Sequence, residues 1–202
     1  MKKVIFLLAT VLILTTSLIG AGPYKAGDIA SDFSLKNVDG NMVSLSEFEN
    51  AKGFIVVFSC NTCPVVKKYE DRIIKLHREF GDKGYPVVAI NSNDEIRSPG
   101  DSFEEMKKHA KTKGYDFSYL YDESQEVAKE YGATNTPHVY VLTKDDGKLK
   151  VSYVGAIDNN ADDASKADKK YVADAVNKLL SGETIGVTTT KAVGCGIKWK
   201  KV

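Results

Sequence analysis

Cys60-Asn61-Thr62-Cys63-Pro64 lies directly after an unbroken apolar run, Phe54-Ile55-Val56-Val57-Phe58, and directly before a helical pattern. The apolar run predicts a strand buried on both faces. Val66, Tyr69, Ile73, Leu76 and Phe80 recur at spacings of three and four, which predicts a helix with one buried face that stops at Gly81. A strand feeding a Cys-x-x-Cys at a helix start sets the sulfurs beside unpaired backbone N–H groups. Their partial positive charge favours thiolate over thiol. In such motifs a cysteine pKa falls from about 8.5 toward about 3.5–7.5. The two intervening residues let the second sulfur reach the first and close a small disulfide ring. The pair has two other uses. Half of a zinc site would need two more ligands, and only Cys195, His77, His109 and His138 remain, none in a paired spacing. An inert structural disulfide is the other. The strand–CxxC–helix context favours a redox pair.

The N-terminus bears on the compartment. Met1-Lys2-Lys3 is a short basic start, Val4 to Leu14 is apolar apart from Thr10, and Ile19-Gly20-Ala21-Gly22 supplies small residues for cleavage. This is the three-part pattern of a secretory signal peptide over residues 1–22. The alternative, a retained membrane anchor, is disfavoured because the run is short for a span of about 20 residues. The expectation is a protein secreted across the inner membrane, with a periplasm as the fitting compartment, where disulfides persist. The charge of the whole chain is +1, from 28 basic and 27 acidic residues. Losing Lys2 and Lys3 leaves 26 against 27, or −1. That balance gives no footprint for nucleic acid or a charged membrane surface. Three cysteines are too few for a disulfide-stapled scaffold and suit a working pair with one left over.

The rest of the chain reads as one domain over residues 23–185 and a tail, 186–202, that carries Cys195. Asp32 to Lys36 and Met42 to Leu45 flank Asp39-Gly40 as a small hairpin. Tyr85 to Ile90 is a second buried strand, expected to be parallel to the first. Ser102 and Glu105 form a capping box ahead of a helix with Phe103, Met106 and Ala110 on its buried stripe. Ser124 is expected to cap a short helix closed by Gly132. His138 to Leu142 and Lys150 to Val154 form a hairpin around Asp145-Asp146-Gly147, Asp158 to Asp168 a surface loop, and Val172 to Leu179 a last helix. This order predicts an α/β sandwich, a mostly parallel core with an antiparallel edge hairpin.

Several segments together resemble the thioredoxin superfamily, and within it the peroxiredoxin-like secreted branch (AhpC/TSA, redoxin). They are the hairpin Asp32 to Leu45, Val56 to Pro64, Val88 to Asp94, Tyr121 to Ala128, Thr136-Pro137 and the tail Gly194 to Trp199. The resemblance implies a thioredoxin-like three-layer α/β/α sandwich with an N-terminal β-hairpin extension. It implies that Cys60 is the exposed nucleophile of a thiol–disulfide oxidoreductase and Cys63 the buried resolving cysteine. Pro137 takes the place of the cis-proline facing the CxxC, with the Thr136 backbone offered to a substrate strand. Cys195 is a candidate resolving cysteine or an incidental thiol of a packed tail. The partners implied are thiols or disulfides of proteins or small molecules, with no cofactor, no metal and no nucleic acid.

The same segment also resembles a peroxiredoxin motif, with Cys63 as peroxidatic cysteine. In that register Cys60 replaces the expected threonine. His138 stands where an arginine is expected, and no arginine follows Arg97. The reading is therefore thiol–disulfide exchange, with an atypical hydroperoxide-reducing peroxidase acting through Cys63 as the alternative. A copper chaperone, holding Cu(I) with the two thiolates and His138, is a lesser alternative. Asp158, Asn160 and Asp162 begin like a calcium loop, but Asp163 and Lys169 stand where glycine and glutamate are needed. His77 and His109 lie in charged helix patterns and are expected to be solvated.

Overall fold

The computed structural model describes residues 23–201, so the signal segment expected over residues 1–22 lies outside the described residues. The strands are β1 (Ile29–Ala30), β2 (Ser34–Asn37), β3 (Met42–Ser44), β4 (Gly53–Ser59), β5 (Val87–Asn91), β6 (Ser118–Tyr121), β7 (Asn135–Thr136), β8 (His138–Asp145), β9 (Lys148–Gly155) and β10 (Cys195–Gly196). The helices are α1 (Pro64–Phe80), α2 (Phe103–Lys113), α3 (Glu126–Tyr131) and α4 (Tyr171–Leu180).

One sheet runs β1-β9-β8-β4-β5-β6-β2-β3, and β7 and β10 form a separate pair. Only the β4–β5 and β5–β6 pairs are parallel, and every other neighbour in the large sheet is antiparallel. The expected mostly parallel core is thus a parallel trio flanked by antiparallel strands on both sides. The N-terminal hairpin β2–β3 joins the sheet through β6. β6 itself escaped the periodicity reading, because four residues of Ser-Tyr-Leu-Tyr carry too short a pattern.

All seven residues of β4 are buried, as a strand covered on both faces must be. On one face Tyr69 and Ile73 of α1, Met106 of α2 and Val172 of α4 pack on the odd-numbered residues Ile55 and Val57. On the other, Val127 and Tyr131 of α3 join Tyr24, Phe33 and Ile197 over Phe54, Val56 and Phe58. Alternation of side chains along the strand divides the two cores. The result is a three-layer α/β/α sandwich.

Several local expectations are amended. Ser102 caps α2 by accepting from the Glu105 N–H at 3.4 Å, while Glu105 turns outward to Lys108. The N-cap of α3 is Gln125, in a left-handed conformation, with Ser124 Oγ, one residue further out, accepting from the Glu126 N–H. Neither helical histidine is free in solvent. His109 Nε2 sits 2.6 Å from the buried Glu70 carboxylate, and His77 Nδ1 accepts from the Val87 N–H. Asp158 is buried as well, receiving Tyr69 and Arg72, so its loop is clamped to α1 rather than solvated.

Candidate functional site

The C-terminal end of β4 delivers Ser59 and Cys60, and α1 starts at Pro64 with Cys63 as its N-cap. Proline suits the first helical position because its missing N–H would be unpaired there anyway. The dipeptide between the cysteines is fixed from below. Asp101, fully buried, accepts from the Asn61 and Thr62 N–H groups on Oδ1 and from the Thr62 hydroxyl, Asn93 Nδ2 and the Ser98 hydroxyl on Oδ2. Asn61 also donates to the Gly100 carbonyl and accepts from the Tyr119 hydroxyl.

The three cysteines and Thr136 meet at one point. Cys60 Sγ lies 3.3 Å from the Thr136 hydroxyl, and Cys63 Sγ lies 3.3 Å from the Thr136 carbonyl oxygen. Cys195 pairs with Thr136 across the β10–β7 bridge, and its sulfur is bonded to Cys63 with the two Cα atoms 5.9 Å apart. Thr136–Pro137 is a cis peptide.

Two expectations change here. The disulfide is Cys63–Cys195 rather than Cys60–Cys63, and Cys60 is the free thiol. Cys60 is also not exposed: it is 2% accessible, against 3% for Cys63, whereas Cys195 is only half-buried. Burial first, and the nearby Asp101 charge second, push the Cys60 thiol pKa up, with the Thr136 hydroxyl pulling the other way. In this state Cys60 is a protonated, shielded thiol.

His138 follows Pro137 and pairs in register with Phe58. Burial alone lowers its pKa to about 4, and its Nδ1 finds no partner among the described residues. Neutral His138 cannot replace a cationic arginine beside a thiolate. Among the described residues no group of three or more His, Cys, Asp or Glu stands in metal-holding geometry, and the Cys63 sulfur needed for a copper site is committed to Cys195. Clefts elsewhere, such as one of about 790 Å³ beside His77, Arg78 and Asp116, contain none of the cysteines.

Residues 26–152 match the AhpC/TSA family, over more than half of the chain. The chain belongs to the AhpC/TSA family. It is a peroxiredoxin-like member of the thioredoxin superfamily, and it is similar both to disulfide-exchanging and to peroxide-reducing relatives. It is 23% identical over 133 residues to the thiol-disulfide oxidoreductase ResA of Halalkalibacterium halodurans, covering 66% of this chain and 70% of that protein. It is 29% identical over 111 residues to the chloroplastic peroxiredoxin Q of Oryza sativa subsp. japonica, covering 55% of this chain and 48% of that protein. It thus spans about half the length of the peroxiredoxin Q relative. Among solved structures, an uncharacterized conserved protein of Geobacillus kaustophilus is 38% identical with a TM-score of 0.81, covering 88% of this chain and 93% of that one.

This AhpC/TSA member carries a functional residue that sequence reasoning missed. Asp101 lies between the end of β5 and the helix cap Ser102, and nothing in its neighbours marks it as the acceptor that holds the CxxC. The one available signal was chemical: two adjacent N–H groups and a threonine hydroxyl between the cysteines require an acceptor if they are buried.

Proposed function

We propose that this protein is a thiol–disulfide oxidoreductase working through Cys60 and Cys63. The observation that carries the reading is the convergence of Cys60, Cys63 and Cys195 on Thr136. It also supports exchanging the two roles implied by the resemblance. Cys63 is at the helix N-cap, where the backbone N–H groups stabilise a thiolate, and it already bonds to a cysteine presented on a strand. Cys60 lies behind it, buried and protonated. Cys63 therefore forms the mixed disulfide with a substrate. Cys60, losing its proton, then attacks Cys63 Sγ, so that the Cys60–Cys63 bond forms and the substrate sulfur leaves with the electron pair. The same attack on the bond seen here releases Cys195 as a thiolate. Thr136 and Pro137 form the substrate edge. The partners are thiols and disulfides of proteins or small molecules, and the basic, apolar and small-residue pattern of residues 1–22 supports export to the periplasm.

One observation favours a second reading. Cys63–Cys195 is the disulfide left when a peroxidatic Cys63 sulfenate condenses with a resolving Cys195, with loss of water. Against it stand the absent threonine at Cys60 and the neutral His138.

Stopped-flow mixing of the reduced protein with glutathione disulfide and, separately, hydrogen peroxide decides between them. The expected result is fast exchange that falls on the order of a hundredfold or more in Cys63→Ser. The double variant Cys60→Ser, Cys195→Ser should stop at a mixed disulfide on Cys63. Peroxide consumption faster than disulfide exchange, unchanged by Cys60→Ser, makes the protein a peroxidase instead.

A further inference from the structure

The tail crosses the site as a strap fixed at both ends. At one end Thr188 and Thr190 pair with Val154 of β9, and the Thr190 hydroxyl accepts from the Ala156 N–H. At the other the Ile197 N–H donates to the Thr134 carbonyl and the Ile197 side chain is buried in the core. The Lys198 N–H donates to Asn93 Oδ1, while the Lys198 carbonyl accepts from the Asp94 N–H and from Gln125. Between these anchors β10 pairs antiparallel with β7, and β7 has no other strand neighbour among the described residues. The approach is tightest at Gly194: a Cβ there would lie 2.0 Å from the Thr136 carbonyl oxygen. Tether aside, Cys63–Cys195 is a mixed disulfide between a CxxC cysteine and a cysteine on a docked extended strand.

We propose that the strap, residues 192–197, is an internal occupant of the docking edge on Asn135–Thr136, and that the external partner it stands in for is an extended peptide with glycine directly before its cysteine, admitted once the Cys63–Cys195 bond opens. This rests on the thiol–disulfide reading above. Opening starts at Cys195, the least buried of the three cysteines. An external thiolate bonds to Cys195 Sγ, the Cys195–Cys63 bond breaks, and the electron pair stays on Cys63 at the helix N-terminus. A second thiolate then attacks the external sulfur and frees Cys195 as a thiolate. Two external thiols become one disulfide, and Cys63 and Cys195 are reduced.

Two measurements test this. Hydrogen exchange across residues 194–198 of the mature protein is compared before and after reduction with a phosphine, together with alkylation of Cys60 by iodoacetamide. Reduction should speed both at least tenfold, and Gly194→Ala, with every sulfur intact, should speed Cys60 alkylation in the oxidised protein. Equal exchange and alkylation in the two oxidation states would make the strap a permanent part of the fold and overturn the gate. Second, the double variant Cys60→Ser, Cys195→Ser is presented with the glutathione mixed disulfides of Val-Gly-Cys-Gly-Ile-Lys and Val-Ala-Cys-Gly-Ile-Lys. The glycine peptide should load onto Cys63 at least tenfold faster, and equal rates would overturn the assigned substrate class. The outcomes separate from those of the parent reading. Turnover of disulfides without any strap opening removes the gate alone, whereas strap opening without turnover of any disulfide removes the oxidoreductase reading alone.

Discussion

The CxxC is held from two sides by different kinds of force. Beneath it, Asp101 gathers five hydrogen bonds from Asn61, Thr62, Asn93 and Ser98 inside a closed polar network. Above it, the strap is held by backbone pairing, the Ile197 side chain and one covalent bond. The lower side cannot be undone without leaving buried polar groups unpaired, which costs about 1–3 kcal/mol per group. The one covalent bond of the upper side can be undone by two electrons. A redox site needs this difference: the reacting sulfur keeps its place while the groups facing it are exchanged. Asn93 touches both sides, donating to Asp101 and accepting from Lys198, and it is where one network ends and the other begins.

The comparison is broken most strongly through the covalent bond. Cys63 and Cys195 are separated by 132 residues. Closing a loop of that length removes unfolded-state entropy worth up to about 5 kcal/mol. Urea unfolding of oxidised wild type against Cys195→Ser should show a loss approaching that size, and reduction should bring wild type down to the variant. Coincident midpoints in the oxidised state would mean that the bond does not close in the purified protein.

The lower side should give a different signature. Asp101→Ala removes the shared acceptor and leaves its donors buried, which is expected to cost about 1–3 kcal/mol for each donor that stays unpaired. It also removes the negative charge that helps hold the Cys60 thiol protonated. The alkylation profile of Cys60 against pH should therefore shift to lower pH, in oxidised and reduced protein alike, whereas strap variants change access without that dependence on charge. An unshifted profile would leave burial as the sole cause.

What was legible in the sequence divides along the same line. Cys60 and Cys63 announce themselves through local patterns, an apolar run and a two-residue spacing, whereas Thr136 and Pro137 enter only through the resemblance to the thioredoxin superfamily. The main strands and helices announce themselves locally too, because β4 and α1 repeat their apolar residues over many positions. β6 is four residues long and gives no period to count. Asp101 and Cys195 act across 39 and 132 residues respectively, and no local pattern specifies a contact at that range. The tail showed no periodicity because its order comes from strands and side chains already folded, through bonds to Thr134, Asn93 and Gln125. The exposure assigned to Cys60 failed for the same reason: what covers it is the far end of the chain.

The smallest expected effect comes from the seam between the two sides. His138 lies beside Phe58, two residues before Cys60 on one strand, and two residues after Thr136 on the other. Its folded pKa is about 4, against about 6.5 in the unfolded chain, because burial disfavours the charged ring. Above pH 6.5 neither state binds the proton and the site contributes nothing unfavourable. As pH falls below 6.5 the unfolded chain takes up a proton that the folded chain refuses, and stability is lost until the folded pKa is reached. A gap of about 2.5 pH units at 1.36 kcal/mol each bounds this loss at about 3 kcal/mol. His138→Phe keeps a ring against Tyr140, whose ring centre is 4.9 Å away, and removes the titration. The stability difference between wild type and variant should therefore be flat above pH 7 and move in the variant's favour between pH 6.5 and 4. The half-buried His77, whose pKa is also lowered by burial, titrates in both proteins and cancels from that difference. A difference that stays flat through pH 4 would mean that protonated His138 finds a partner or water.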